Sequence, residues 1–276
     1  MSALRLPRGF SRIPLRTPTL PPAQHTNCYI VGHEEALVVD PGSPFPGAIA
    51  RLLRILWRLR GRGGRVAAVL VTHHHADHHG GATAIARALD APVAAHRETL
   101  LRLRLCGVQR IEVEEGHRFE ADPGLELTCL HCPGHAPGHL CLSEPGRRVL
   151  IVGDMVPGVG TTLVAPPDGD MSAYLASLER LAALQPRLLL PAHGPPLDQG
   201  ADAILRLVTH RLWREQRIID ALTRGPLDLW AVTREAYADL PPWLLGLATR
   251  STRAHLDKLH REGRVAARGE TWRVTA

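Results

Sequence analysis

The sequence predicts a layered α/β (α+β) domain followed by a smaller, mostly helical unit. Up to about residue 200, short apolar runs alternate with segments whose apolar residues recur at helical spacing. Beyond that point the pattern becomes helical and rich in arginine. The chain has 276 residues, of which 45% are hydrophobic and 22% charged. This length and composition suffice for one large or two modest packed domains and exclude wholesale disorder.

In the first half of the layered domain, predicted strands alternate with predicted helices. Residues 66–71 form a wholly apolar run, which is typical of a strand buried on both faces. Residues 47–60 carry apolar side chains, among them Leu52 and Leu56, at helical spacing. The predicted strands of this half are 27–31, 36–40, 66–71 and 93–95, and its predicted helices are 47–60 and 79–90.

The second half of this domain is predicted to be richer in strands. Asp170 is a candidate N-cap for a helix over 171–184, and 187–191 reads as a buried strand that ends shortly before His193. The other apolar runs of this half lie at 125–130, 139–142 and 148–152. We therefore expect one domain over residues 1–204.

Residues 205–276 are predicted to form a second domain of three helices and a β-hairpin. Gly225 and Pro226 form a stop signal after the first helix, and Gly263 ends the third. The predicted helices cover about 202–223, 228–238 and 249–262, and the predicted hairpin pairs 265–267 with 271–275. We expect Trp230, Trp243 and Trp272 to belong to the core rather than to a stacking platform for bases.

The charge is unevenly distributed along the chain. Lys plus Arg number 33 and Asp plus Glu 27, which gives a net charge of +6. Residues 205–276 hold 13 basic and 8 acidic residues, whereas 34–204 hold 16 and 19. The excess fits either a base composition that favours arginine or a surface that binds a polyanion. The charge therefore keeps nucleic acid open as a partner without deciding for it.

A histidine cluster over residues 72–81 (THHHADHHGG) is the densest chemical signal in the sequence. His73 and His75 share a face in extended backbone, and Asp77 and His78 follow as the chain turns. Imidazole and carboxylate are the ligands that zinc prefers. Four candidate ligands within six residues exceed what one tetrahedral site draws from a single loop. The cluster therefore indicates two metal ions.

Three more candidate ligands follow apolar runs farther along the chain. These are His135, Asp154 and His193. Strand ends are where α/β proteins build their sites. Taken in order with the first cluster, the pattern resembles the metallo-β-lactamase superfamily over about residues 25–200. The resemblance implies a four-layered αββα sandwich.

The resemblance also implies a dinuclear metal centre. One ion would be bound by His73, His75 and His135, and the other by Asp77, His78 and His193. Asp154 would bridge the two ions, and Asp77 and Asp154 would orient a metal-bridging hydroxide as catalytic residues. Zinc is the default ion, with manganese or iron as alternatives. Among the other histidines, only His25 and His139 fall where they could reach the cleft.

Differences from known branches of the superfamily argue against lactam hydrolysis and against oxygen reduction. Asp154 stands where lactam-hydrolysing members usually have cysteine, and His75 stands where diiron oxygen-reducing members have glutamate. The C-terminal pattern resembles a winged helix, and the segment 166–171 (PPDGDM) matches the winged-helix subgroup. That subgroup includes single-strand-specific endoribonucleases and hydrolases of carrier-linked or coenzyme-linked thioesters.

We therefore expect a metal-dependent hydrolase acting on a small-molecule ester or thioester. The alternative is a single-strand-specific endoribonuclease. A third interpretation, a DNA-binding regulator with a vestigial hydrolase domain, conflicts with the complete ligand set. In the alternative, the phosphates of RNA would be contacted by Arg250, Arg253, Lys258, Arg261 and Arg264.

Cysteine usage and hydropathy suggest a cytoplasmic setting. The five cysteines have no disulfide spacing, and Cys129 and Cys132 lack the second pair that a structural zinc site needs. No apolar run reaches the roughly 18 residues of a membrane span. Prolines near the N-terminus would break a targeting helix. We expect no membrane partner, and a homodimer is compatible with the sequence.

Overall fold

The computed structural model describes residues 5–275, and its first half is built on a six-stranded sheet. In this sheet β1 to β6 lie side by side in chain order. β1, β2 and β3 are antiparallel, and β3 to β6 are parallel. The strands are β1 (Phe10–Arg16), β2 (His25–Val31), β3 (Glu35–Val39), β4 (Arg65–Leu70), β5 (Val93–Ala95) and β6 (Arg110–Glu112).

A second six-stranded sheet faces the first. Its order is β12-β11-β10-β9-β8-β7, and only β10 and β11 are parallel. The strands are β7 (Arg118–Asp122), β8 (Leu125–His131), β9 (Leu140–Glu144), β10 (Val149–Gly153), β11 (Leu188–Pro191) and β12 (Leu197–Asp198). Leu37 and Leu70 of the first sheet pack with Leu127, Leu140 and Ile151 of the second in one buried core.

Helices cover the outer faces of both sheets, which completes the predicted four-layered αββα sandwich. Leu52, Leu56 and Ile85 pack on the first sheet. Leu178 and Ile204 pack on the second. The helices up to the end of the second sheet are α1 (Pro46–Arg60), α2 (Ala76–His79), α3 (Ala82–Leu89), α4 (Arg97–Leu100) and α5 (Met171–Ala183).

Two features of the first half differ from the sequence prediction. β1 lies in the proline-rich N-terminal segment, where no strand is predicted. It is an edge strand, so Pro14 does not have to supply a ladder hydrogen bond on its open side. The helix predicted over 79–90 begins only at Ala82, as α3, and a separate short helix, α2, precedes it. A Cβ at Gly80 would lie 2.5 Å from the Gly42 carbonyl oxygen, so this turn packs against backbone and requires glycine.

The C-terminal unit has the helices and hairpin of a winged helix. Its three short strands are ordered β13-β15-β14. Its core contains Leu222, Val232, Leu256, Leu259 and Trp272. The elements are α6 (Gly200–Leu222), β13 (Leu227–Asp228), α7 (Leu229–Ala236), a 3₁₀ turn (Pro242–Leu244), α8 (Leu245–Arg261), β14 (Val265–Arg268) and β15 (Thr271–Val274).

Helix α6 belongs to both units. Ile204 and Val208 pack with α5, whereas Ile218 and Leu222 pack in the core of the C-terminal unit. The helix runs without a break across the predicted boundary between residues 204 and 205. That boundary stays a prediction, and the continuous helix fixes the orientation of one unit on the other.

The three tryptophans of the C-terminal unit differ in their exposure to solvent. Trp272 is buried as expected, but Trp230 and Trp243 are 49% and 80% exposed. The core prediction was wrong for these two, because they lie on the outer sides of α7 and the 3₁₀ turn.

All five cysteines are free thiols. None of the helices within residues 5–275 combines the length with the apolarity that a membrane crossing requires.

Candidate metal centre

All seven predicted ligands meet at one edge of the sandwich. His73, His75, Asp77 and His78 lie on the loop after β4 and on α2, which follows it. The other three follow strands of the second sheet: His135 comes after β8, Asp154 after β10 and His193 after β11. The two sheets face each other, so these strand ends bring together side chains up to 120 positions apart in sequence, the separation of His73 and His193.

Three histidines form the first cluster, with their ring nitrogens converging. His75 Nδ1 lies 3.0 Å from His73 Nε2 and 3.0 Å from His135 Nε2, and the last two atoms are 3.2 Å apart. Four-coordinate zinc with Zn–N bonds of about 2.0–2.1 Å would hold its nitrogens roughly 3.3 Å apart. Burial and the neighbouring imidazoles lower the pKa of His75 to about 4. Burial also lowers the pKa of His73 and of His135. The low pKa values favour the uncharged imidazoles that can bind a cation.

Asp77, His78 and His193 form the second cluster. His193 Nε2 lies 3.4 Å from Asp77 Oδ2, and His78 Nε2 lies 3.9 Å from Asp77 Oδ1. Burial lowers the pKa of His193, but the carboxylates of Asp154 and Asp77 together outweigh burial and raise it to about 10.

Asp154 faces both clusters. Its Oδ2 lies 3.5 Å from His135 Nε2 in the first cluster and 3.5 Å from His78 Nε2 in the second. Its Oδ1 lies 3.3 Å from His193 Nε2. A carboxylate in this position can contact ions in both clusters at once.

The orphaned Nε2 atom of His78 supports a metal at the second cluster. His78 is fully buried, and this nitrogen has no hydrogen-bond partner among the described residues. An unpartnered buried polar atom costs free energy unless a ligand satisfies it. The imidazole and carboxylate donors of both clusters match the preferences of divalent zinc, manganese and iron. The residues present therefore fit a pair of divalent metal ions.

Residues behind the candidate ligands hold them in place by hydrogen bonds, and Asp40 accepts the most of these bonds. Asp40 accepts hydrogen bonds from the Thr72 backbone N–H at 2.8 Å and hydroxyl at 2.7 Å, and from His78 Nδ1 at 2.8 Å. Such contacts fix the tautomer and ring orientation of a ligand. Asp40 is not among the site residues predicted from the sequence. Its one signal was a lone carboxylate after the apolar run 36–39, at the end of a strand.

The remaining ligands are held by backbone groups and by His139. His135 Nδ1 donates to the Leu163 carbonyl at 2.8 Å, and His193 Nδ1 donates to the His25 carbonyl at 3.0 Å. The Asp154 backbone N–H donates to His139 Nε2 at 3.1 Å. His25 and His139 thus position candidate ligands by hydrogen bonds: His25 through its backbone carbonyl and His139 through its side chain.

A third carboxylate, Asp168, lies beside the first cluster. Its Oδ2 is 3.2 Å from His74 Nε2 and 3.6 Å from His75 Nε2. Asp168 belongs to the segment 166–171, but sequence reasoning gave it no role in the site. Through Asp168, the loop that precedes α5 contacts both His74 and His75.

A cavity of about 700 Å³ opens above the two clusters. Five of the candidate ligands line its floor: His75, Asp77, His135, Asp154 and His193. The C-terminal unit forms another wall of the cavity, with the buried residues Arg211 and Tyr237 and with Leu247 on α8. The winged helix therefore shapes the space above the candidate metal centre.

Most of the basic residues that were expected to face RNA are paired within the chain. Lys258 is buried and binds Glu215 and Glu262, each at 2.8 Å. The expectation that Lys258 contacts phosphate is wrong for this fold, because its ammonium group points into the C-terminal unit. Three further pairs are Arg253 with Asp257 at 2.7 Å, Arg261 with Asp170 at 2.8 Å, and Arg264 with Glu215 at 3.2 Å.

The fold and the ligand clusters define a metal-binding αββα sandwich, and family comparison identifies it. The chain belongs to the metallo-β-lactamase superfamily, whose model matches residues 21–193. Residues 229–272 match the β-lactamase-associated winged helix domain. Members of this superfamily are typically hydrolases, and the fold implies divalent metal ions.

Curated relatives and solved structures extend over most of the chain. It is 29% identical over 244 residues to the β-lactamase-like protein 2 homolog of Caenorhabditis elegans, covering 87% of this chain and 80% of that protein. It is 28% identical over 239 residues to the atrochrysone carboxyl ACP thioesterase of Passalora fulva, covering 83% and 66%. A β-lactamase domain protein from Burkholderia ambifaria has the same fold, with a TM-score of 0.85, 21% identity and coverage of 99% and 93%.

Proposed function

We propose that this protein is a dinuclear metal-dependent hydrolase of acyl thioesters or esters. The observation that supports the proposal is the cavity above the ligand clusters, whose floor is formed by candidate metal ligands and whose walls are largely apolar. Leu20 and Val159 stay 52% and 38% exposed beside it. Apolar side chains left open to a cavity favour an apolar group of a substrate, and an acyl chain is such a group.

In this proposal His73, His75 and His135 would hold one ion, Asp77, His78 and His193 would hold the other, and Asp154 would contact both. When bound, the ions would supply a water of lowered pKa as nucleophile and polarise the carbonyl group of the substrate. Zinc is the ion we expect, with manganese and iron as alternatives.

The chain's own residues contribute charge and orientation. The carboxylates of Asp77 and Asp154 offset part of the charge of two divalent ions. Thr162 donates its hydroxyl to the Asp154 carbonyl at 2.8 Å, and the buried Arg211 donates to the Thr162 carbonyl. These contacts hold the loop after Asp154 against the C-terminal unit, so that the bridging carboxylate keeps its direction.

A thioester suits this site because its leaving group needs no proton donor. A free thiol has a pKa near 8.5, so a thiolate leaves without a general acid. An alkoxide would require a general acid at the leaving group. Relatives that are named acyl-carrier-protein thioesterases support the same choice. The paired basic residues of α8 favour the thioester over RNA, because phosphates would have to displace carboxylates already in contact.

Turnover of a substrate panel tests the proposal. The panel contains acyl thioesters, lactones and single-stranded RNA, each offered to protein loaded separately with Zn²⁺, Mn²⁺ or Fe²⁺. We expect thioester hydrolysis that a chelator abolishes and one of these metals restores. His75→Ala should lose it, whereas His117→Ala, a surface histidine away from the cavity, should retain it.

Salt dependence separates the two substrate classes. Binding of a neutral thioester should barely respond between about 50 and 200 mM salt, whereas RNA binding should fall steeply. Cleavage of RNA with steep salt dependence, together with no thioester turnover, would assign the site to the endoribonuclease alternative and reject our proposal.

A further inference from the structure

The cavity has two ends of different chemistry. One end is formed by the candidate metal ligands. The other is formed by the start of α8 and the turn before it, where Leu244, Leu247, Ala248 and Ser251 recur at the spacing of a single helix face. A substrate that fills the cavity must therefore contact both the sandwich and the C-terminal unit.

Three arginines line this cavity, and two of them are already engaged. Arg211 is buried and donates to the Thr162 carbonyl. Arg214 is buried and binds both carboxylate oxygens of Asp239 at 2.6 Å. Both guanidinium groups join elements of the fold, so neither is free to bind a ligand without breaking those contacts.

Arg250 is different. It is exposed, it lines the cavity, and it forms no ion pair or side-chain hydrogen bond with any residue in the range 5–275. The carboxylates that line the cavity, Asp77, Asp154 and Asp168, belong to the metal end. Arg250 therefore presents an uncompensated guanidinium group at the end that belongs to the winged helix.

An anionic group on the substrate would complement Arg250. Guanidinium binds phosphate through two parallel hydrogen bonds, and it keeps its charge at all physiological pH values. In cells, acyl thioesters are carried on 4′-phosphopantetheine, either within coenzyme A or attached to a carrier protein. That arm has the sulfur at one end and a phosphate at the other. The cavity offers reactive chemistry at one end and a free cation at the other.

We propose that Arg250 determines specificity by binding the phosphate of a phosphopantetheine arm whose thioester lies over the metal ligands. The inference rests on the proposed thioester hydrolysis and adds the carrier side of the substrate to it. It also gives the winged helix a role in substrate selection, because Arg250 is contributed by α8.

Kinetics with matched substrates test this assignment. Butyryl-pantetheine and butyryl-4′-phosphopantetheine differ only in the phosphate. We expect the phosphorylated compound to have a KM about tenfold lower, equal to about 1.4 kcal/mol, with a similar kcat. Arg250→Gln should remove this difference by raising only the KM of the phosphorylated substrate, and Arg250→Lys should keep part of it. Arg206→Gln is the matched control, since Arg206 is also exposed and unpaired within the described chain but lies outside the cavity.

A binding measurement provides a second readout. The thioether analogue of butyryl-phosphopantetheine resists hydrolysis, and calorimetry with the metal-loaded protein gives its Kd. Arg250→Gln should weaken this binding about tenfold and leave the pantetheine thioether unaffected. Butyryl-coenzyme A and a butyryl carrier protein then distinguish the two sources of the arm, because the natural source should have the lower KM in the wild type.

The outcomes separate the two proposals. Thioester turnover with equal KM values for the phosphorylated and unphosphorylated substrates would overturn the role of Arg250 and leave the hydrolase proposal intact. An equal effect of Arg250→Gln on both substrates would also overturn it. If the wild type hydrolyses no thioester in any metal form, both proposals fail.

Discussion

His78 Nδ1 donates a hydrogen bond to Asp40 Oδ2 at 2.8 Å, and both side chains are buried. This contact leaves His78 Nε2 directed at the second ligand cluster, where the atom has no hydrogen-bond partner among the described residues. Asp40 is itself fixed by two hydrogen bonds from Thr72, one residue before His73. Asp40, which is not itself a candidate ligand, thus connects the backbone next to His73 in the first cluster with the His78 side chain in the second.

Asp40→Asn should weaken metal binding at the second cluster without changing the ligands. The variant keeps the size of the side chain but loses its charge, and outer contacts of this kind are worth about 10–100-fold in metal affinity. Titration against a competing chelator measures the loss. Asp122→Asn is the control, because Asp122 contacts His33 on the surface. An unchanged affinity in Asp40→Asn would contradict the role given to this contact.

Asp77→Ala should remove one ion and leave the other. Asp77 contacts His193 and His78 but makes no contact with the three histidines of the first cluster. Metal analysis should give about one equivalent in place of about two, and activity should fall by at least a hundredfold because the two ions act together. Two retained equivalents, or full activity, would refute the ligand assignment.

Gly153→Ala should disturb the site and the fold more than another glycine substitution at positive φ. Gly153 has a φ of +49°, and an added Cβ would lie 2.5 Å from His139 Nε2. That nitrogen accepts the Asp154 backbone N–H. Gly124 also has a positive φ, +73°, but faces open space.

We therefore expect Gly124→Ala to cost about 1 kcal/mol from backbone strain alone. Gly153→Ala should cost a further 1–3 kcal/mol, roughly, because a buried side chain must move. Denaturant unfolding of the metal-loaded proteins measures both. Equal losses in the two variants would show that His139 yields freely and does not position Asp154.

The C-terminal unit should lose stability on acidification. Burial raises the pKa of Glu215, but His255 and Lys258 outweigh burial and lower it below its ordinary value of 4.5. Burial lowers the pKa of His255 below 6.5. In both cases the unfolded state takes up a proton that the folded state resists. Stability should thus be complete above about pH 6.5 and fall as the pH drops through 6.5 and then through 4.5.

Thermal unfolding at pH 7, 5.5 and 4, followed by circular dichroism, measures this dependence. Glu215→Gln should be about 3–5 kcal/mol less stable at pH 7, because it removes the buried carboxylate that pairs with Lys258 and leaves only the more exposed Glu262. Glu262→Gln removes the other, more exposed partner of Lys258 and should cost less than about 1 kcal/mol. A wild type that is equally stable at all three pH values would argue against the predicted linkage.

The sequence by itself predicted the class of fold and the identity of the ligand candidates. Buried segments such as 66–71 and 188–191 are continuous apolar runs, and the polar residues that follow them stand out by contrast. The spacing of His73, His75, Asp77 and His78 is a local property of the chain, so it can be read without coordinates. The split between α2 and α3 could not be read, because the close approach of Gly80 to Gly42 joins residues 38 positions apart.

The tertiary structure alone decided what surrounds the ligands. Asp40, Asp168 and His139 reach the site through contacts between distant segments, and no pattern of neighbouring residues reports such contacts. The same holds for the basic residues of α8. In the sequence Lys258 and Arg250 are both cations on one helix, but packing buries Lys258 against Glu215 and leaves Arg250 at the cavity. The composition gives the number of cationic side chains, whereas burial and ion pairing determine which of them can contact a substrate.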